Sequence, residues 1–219
     1  NFGHEALAEL EKVRSEGGKR TWNITQNVDR LLHRAGVERV LELHGTVFEV
    51  GCLDCGVRLS RLMVQELLEE ANPSLFTTST IDSLQTRPDG DADVSGAVEE
   101  AFKLPVPPGC EQTGSCRGAL KPEVVFHGGA IPRFVTEQSI HIATHSDALL
   151  ILGTTLSTFS AFRLVKRAFE NPETKIGIVN FGDTRADALV HQHASRAMKI
   201  EHSVAEVLRQ ITHDMNRTE

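Results

Sequence analysis

Apolar residues along this chain fall into short blocks whose spacing alternates between helical and continuous. Leu7, Leu10 and Val13 recur at helical spacing across 1–15, and Gly17-Gly18 supplies a stop. A short strand is expected over 21–25, a helix over 29–35 halted by Gly36, and a second strand over 39–43. Leu62, Leu67 and Leu68 form a stripe on a helix over 59–71 that ends at Asn72-Pro73. Further on, a short apolar strand is expected over 124–126 and a helix over 134–143. The unbroken run Ala148-Leu149-Leu150-Ile151-Leu152 predicts a buried parallel strand. A helix over 160–169, a strand over 175–180 and a helix over 203–215 follow, the last with Val204, Val207, Leu208 and Ile211 on one side.

Strands alternating with helices imply an α/β fold, a Rossmann-like doubly wound parallel sheet. The rhythm breaks between Cys52 and Cys116, where 74–109 is rich in Ser, Thr, Asp, Gly and Pro. Such a long irregular stretch inside a compact domain points to function or mobility, not core. We read 51–117 as a small inserted zinc-binding module, with 1–50 and 118–219 as the two parts of the Rossmann-like domain.

Composition narrows the class. With 23 Lys plus Arg against 30 Asp plus Glu the net charge is −7, which argues against nonspecific nucleic-acid binding. No run approaches the roughly 20 apolar residues of a membrane span. The four cysteines come as two close pairs, Cys52/Cys55 and Cys110/Cys116. Two disulfides or four free thiols would satisfy the count, but paired spacing favours one structural zinc closed by four sulfurs. A reducing compartment follows. The second pair has five intervening residues, more than usual, so Cys110 is the least regular ligand.

The chemistry concentrates between Thr25 and Cys55. Gln26, Asn27 and Asp29 follow the first strand, and such side chains suit hydroxyls and amides. Capping of the next helix would account for one of the three. His44, between an apolar strand and Gly45, is a general-base candidate, although a structural histidine is the simpler reading of His44 alone.

Thr25-Gln26-Asn27-Val28-Asp29, Leu43-His44-Gly45 and Cys52-x-x-Cys55 together resemble the core of the sirtuins, the NAD-dependent protein deacylases. The resemblance continues in order through Leu120-Lys121-Pro122-Glu123-Val124-Val125-Phe126, Gly153-Thr154-Thr155 and Asn180-Phe181-Gly182. Arg87-Pro88-Asp89-Gly90-Asp91, Ser160-Ala161-Phe162-Arg163-Leu164 and Thr184-Arg185-Ala186-Asp187 resemble the branch with mitochondrial members. What this implies is an enzyme using NAD and one structural zinc on acyl-lysine proteins, in the mitochondrial matrix or else the cytoplasm. His44 and Asn27 would be catalytic. Cofactor contacts would come from Gln26, Asn27, Val28, Asp29, Gly153, Thr154, Thr155, Asn180, Phe181, Gly182 and Ala197. Zinc would be held by Cys52, Cys55, Cys110 and Cys116, and substrate met by Val125, Phe126, His127 and Gly128.

Three departures temper these expectations. The family's Gly-Ala-Gly-x-Ser phosphate loop does not occur in the 219 residues, so the resemblance implies a truncated sirtuin that does not turn over NAD as it stands. Thr154 and Thr155 replace the commoner serines, keeping the hydroxyls. Phe126-His127-Gly128-Gly129 lacks the family's second Phe and following acid. ADP-ribosyl transfer, lipoamide cleavage, or a catalytically silent zinc-containing binding protein are the alternative functions.

Overall fold

A computed structural model describes residues 1–75, 102–110, 116, 119–126 and 128–215; the Arg87–Asp91 motif and His127 lie outside them. The chain divides into two compact units, 1–45 with 125–219, and 46–124.

The first unit is the Rossmann-like α/β part. It opens with α1 (Phe2–Glu16), whose N-cap Asn1 accepts from the backbone N–H of Gly3 and His4. Strand β1 (Asn23–Thr25) pairs in parallel with β2 (Val40–Glu42), Ile24 opposite Leu41. Between them α2 spans only Leu31–Arg34, shorter than the 29–35 expected. Asp29 stays outside the helix because its Oδ1 accepts the Leu31 N–H at 3.0 Å, an Asx-type cap.

After α4 (Arg133–Thr144) the second half follows as β6 (Ala148–Leu152), α5 (Phe159–Glu170), β7 (Lys175–Val179), α6 (Asp187–Gln192), β8 (Ala197–Ile200) and α7 (Val204–Met215). These strands form a parallel sheet in the order β6-β7-β8. Helix α5 turns Ala161, Leu164, Val165 and Ala168 inward onto a core that includes Leu41, Leu43, Ile151, Ile176 and Ile178. Burying a side chain such as Leu164 contributes about 1.5–3 kcal/mol. Neither α6 nor β8 was foreseen, their residues being too mixed in polarity to show a period.

One expectation fails in an informative way. The Ala148–Leu152 run is a parallel strand, but Leu150 remains 41% exposed and only Ile151 is buried. Among the described residues β6 pairs only with β7, and β1 only with β2. Both strands line one cavity of about 1470 Å³, and Asn23 Nδ2 on β1 is buried without an acceptor. Exposure alternates along the run, with Ala148 and Leu150 exposed and Leu149 and Ile151 less so, because successive side chains point to opposite faces and one face is covered less than the other.

The second unit is built on β3 (Gly45–Cys52), β4 (Arg58–Ser60), α3 (Arg61–Ala71) and β5 (Leu120–Val124), with strand order β4-β3-β5. Helix α3 begins two residues later than expected because Ser60 caps it, accepting from the Met63 N–H at 3.2 Å, while Leu59 pairs with Val50 in the sheet. The expected stripe is also shifted: Val64 is the buried residue and Leu62 is 75% exposed. The strand expected over 124–126 is instead Leu120–Val124. Beyond it the Val125 N–H donates to the His44 carbonyl and Phe126 accepts from the Gly129 N–H in a turn. No helix among the described residues is long and apolar enough to cross a membrane.

Candidate active site

The loops at the carboxyl ends of β1, β2 and β6 meet the first turn of α5. Parallel sheets present ligand sites at this edge, where strand ends and helix starts come together. From the β1 loop, Gln26 Nε2 donates to Thr154 Oγ1 at 3.1 Å and Gln26 Oε1 accepts from Thr158 Oγ1 at 3.0 Å. From the β2 loop, His44 Nε2 lies 2.9 Å from Ser160 Oγ. Gly45 takes a positive φ of 75° immediately after His44, which lets the chain turn away and leaves the imidazole at the strand end. Gly153 does the same after β6 with φ 57°.

The remaining polar candidates divide by how their atoms are used. Asn27 is exposed, and its backbone N–H donates to Thr25 Oγ1. Asp29 has one carboxylate oxygen committed to Leu31. Gln26, Asn27, Asp29, Gly153, Thr154 and Ala197 all line the large cavity. Thr155 is exposed, and its carbonyl accepts the Arg185 N–H. Val28 is half-buried. Asn180 is buried and spends its Nδ2 on the Phe181 and Gly182 carbonyls, closing the turn after β7 and leaving Phe181 70% exposed. Val125 is tied by its N–H to His44, whereas Phe126 and Gly128 are exposed.

Several residues at these loops were not among the site candidates that the sequence offered. Thr158 is the N-cap of α5, yet its side chain makes no capping hydrogen bond, the hydroxyl being given to Gln26. Ser160 looks like any residue of a first helical turn. Leu156 is 98% buried in the left-handed region at φ 58°, a strained conformation that a β6–α5 loop keeps only when its surroundings dictate it. The Arg185 guanidinium lies 4.5 Å from the Phe162 ring centroid, joining the α6 entry to α5.

In the second unit the four cysteine sulfurs lie within 4.8 Å of one another. Cys52 Sγ is 3.4 Å from Cys116 Sγ, and Cys55 Sγ is 3.5 Å from Cys110 Sγ. A tetrahedral ion with Zn–S bonds of about 2.3 Å sets its sulfurs roughly 3.8 Å apart, so the thiols are placed to hold one zinc ion. Cys110 stands in the cluster despite its irregular spacing. The Cys55 backbone N–H aimed at its sulfur pulls Cys52 down to about 7 against burial, with the Asp54 N–H assisting. Burial and the neighbouring thiols push Cys110 upward. Sulfurs this close cannot all ionise alone; a divalent cation removes that restriction. With four sulfurs the coordination is closed, so its role is structural.

The Sir2 family model matches residues 1–160. The NAD-dependent protein deacylase SRT2 of Arabidopsis thaliana is 42% identical over 220 residues, covering 95% of this chain and 54% of its own length. The NAD-dependent protein deacylase Sirt4 of Drosophila melanogaster is 39% identical over 189 residues, covering 86% and 56%. The chain thus spans about half the length of these two relatives. A solved structure described as the structural basis for the mechanism and regulation of Sir2 enzymes matches with a TM-score of 0.67 and 28% identity. That match covers 100% of this chain and 69% of the other. With the family model spanning well over half of the chain, and parallel strands, converging loops and clustered thiols beside it, this chain belongs to the Sir2 family, the sirtuins.

Proposed function

We propose that the protein is an NAD-dependent protein-lysine deacylase, transferring the acyl group from lysine to the ADP-ribose moiety. The observation that carries this is the meeting of Gln26 and His44, from two loops, on the first turn of α5 beside Thr154. The names of the Arabidopsis and Drosophila relatives support the same activity. NAD, when bound, supplies a ribose carbon with nicotinamide as leaving group. Gln26 holds the β1 loop against α5. Asn27, whose residue is exposed and lines the cavity, would hold the ribose, and Asp29, with one oxygen committed to Leu31, would hold the nicotinamide amide with the other. His44 takes the proton from a ribose hydroxyl, a role that suits an imidazole near neutral pH. Val125, Phe126, His127 and Gly128 provide backbone on which an acyl-lysine peptide adds as an extended segment. A mitochondrial setting is proposed on the branch motifs alone, such as Ser160-Ala161-Phe162-Arg163-Leu164.

The decisive assay incubates the chain, extended to the length of its relatives, with NAD at millimolar concentration and acetyl- or lipoyl-lysine peptide, following nicotinamide and free-lysine peptide together. Equal release of both, lost by at least about two orders of magnitude in His44→Ala, is expected. ADP-ribose appearing on the peptide in place of deacylation would favour the transferase reading. Folded, zinc-loaded protein that releases no nicotinamide would favour the binding-protein reading.

A further inference from the structure

We propose that Ser160 is a positioning residue for His44, holding the imidazole through Nε2 so that Nδ1 is the nitrogen left to take a proton. The inference rests on the proposed role of His44 but is carried by the first turn of α5. Helix N-termini leave backbone N–H groups in need of acceptors, and hydroxyl residues there normally accept from them. Here neither hydroxyl of the turn does so. The Thr158 hydroxyl donates to Gln26 Oε1, and no side chain caps the helix. The Ser160 hydroxyl lies 2.9 Å from His44 Nε2, across 116 residues of sequence. The N-cap hydroxyl and the hydroxyl two residues further on are thus both turned onto the side chains of two site loops.

The chemistry then fixes a direction. A neutral imidazole has one N–H and one bare nitrogen, and the partner of the first decides which nitrogen remains bare. No hydrogen bond reaches His44 Nδ1 among the described residues. If Ser160 donated to Nε2, that lone pair would be occupied and Nδ1 would carry the proton, leaving no base. With Nε2–H donating to Ser160 Oγ, Nδ1 is bare and the same bond persists after His44 is protonated. Ser160 itself touches no reacting atom in this scheme; it sets the ring rotamer and tautomer. The helix supplies a rigid platform because Ala161 and Leu164, next on α5, are buried in the core.

The test uses protein labelled with ¹⁵N-histidine, with the His44 signals identified among ten histidines by their disappearance in His44→Asn. In wild type the ring correlations should give the Nε2–H tautomer with Nδ1 unprotonated at alkaline pH. Ser160→Ala, and the nearly isosteric Ser160→Cys in case alanine perturbs folding, should move both nitrogens toward tautomer averaging; Ser160→Thr should restore the pattern. Nicotinamide release should fall about tenfold in kcat with little change in KM for NAD, as for a misaligned group, and recover in Ser160→Thr. A wild-type spectrum with Nδ1–H, or unchanged His44 nitrogens in folded Ser160→Ala and Ser160→Cys, would overturn the inference. If wild type releases no nicotinamide, the assigned activity fails, while the tautomer measurement still decides the role of Ser160.

Discussion

Glu11 on α1 and Arg39 just before β2 are joined twice: Glu11 Oε1 accepts the Arg39 backbone N–H at 3.1 Å and its guanidinium at 3.3 Å. Glu11 Oε2 also accepts the Glu38 N–H at 3.0 Å, and the residue is 97% buried. The carboxylate therefore serves two backbone donors first and a part-exposed cation second. Glu11→Ala orphans both amides and should cost about 3 kcal/mol. Arg39→Ala removes only the cation and should cost about 1 kcal/mol or less. Urea denaturation of the two variants checks the order; equal losses would assign the stability to the ion pair.

Metal analysis of purified protein should find about one zinc per chain, and Cys55→Ser or Cys110→Ser should each reduce it. Chelation should act locally. Hydrogen exchange at Cys52 and Gly56, whose N–H groups bond Val57 and Cys52 across the knuckle, should accelerate strongly, whereas β7 amides in the other unit keep their protection. The single tryptophan, Trp22, lies in the first unit, so its emission should change little. A folded second unit that never contains metal would exclude the zinc assignment.

Asp187 opens α6 and takes hydrogen bonds from Lys199 Nζ at 2.7 Å and from the Thr184 hydroxyl and N–H. Partial burial works against its ionisation, but the Lys199 and Thr184 bonds outweigh it and hold its pKa below the usual 3.8. A depressed folded-state pKa stabilises above the unfolded value and is lost as pH falls through the folded one. Asp187→Asn should thus cost about 1 kcal/mol near neutrality, with the gap to wild type closing below about pH 4. Thermal melts across that range measure it, and a gap independent of pH would refute the assignment.

Gly129 occupies a position where a Cβ would stand 2.9 Å from the Phe126 carbonyl oxygen, a backbone atom that cannot swing aside. The Gly129 N–H also closes the turn onto that oxygen at 2.8 Å. Gly129→Asp, which installs the acid common in the family, should therefore displace the loop carrying Phe126 and Gly128. We expect a higher KM for acyl-lysine peptide with nicotinamide binding little altered. Unchanged or improved peptide KM would show that the loop accommodates the side chain.

Local pattern was enough for much of this molecule. The helix over 160–169 was legible as α5, the Val204, Val207, Leu208 and Ile211 stripe made α7 legible, and the ordered motifs identified the sirtuin family. Two cysteine pairs announced a metal cluster because ligand type and spacing are themselves local properties. The short β4, and the mixed-polarity α6 and β8, offered too few periods to read. Burial was harder still: the Ala148–Leu152 run has the composition of a covered strand, but coverage depends on what packs against each of its two faces. The same holds for Glu11, an ordinary helix-surface residue by sequence, which becomes buried because α1 packs over the chain entering β2. The site was half legible. Gln26 and His44 could be picked out by type and place, while Thr158 and Ser160 could not, since a hydroxyl in a first helical turn reads as a cap. Only the tertiary structure brings residues 128 and 116 positions apart within hydrogen-bond distance. Sequence period reports which face of an element is apolar; which distant side chain that face meets is decided by the packing of the whole sheet and its helices.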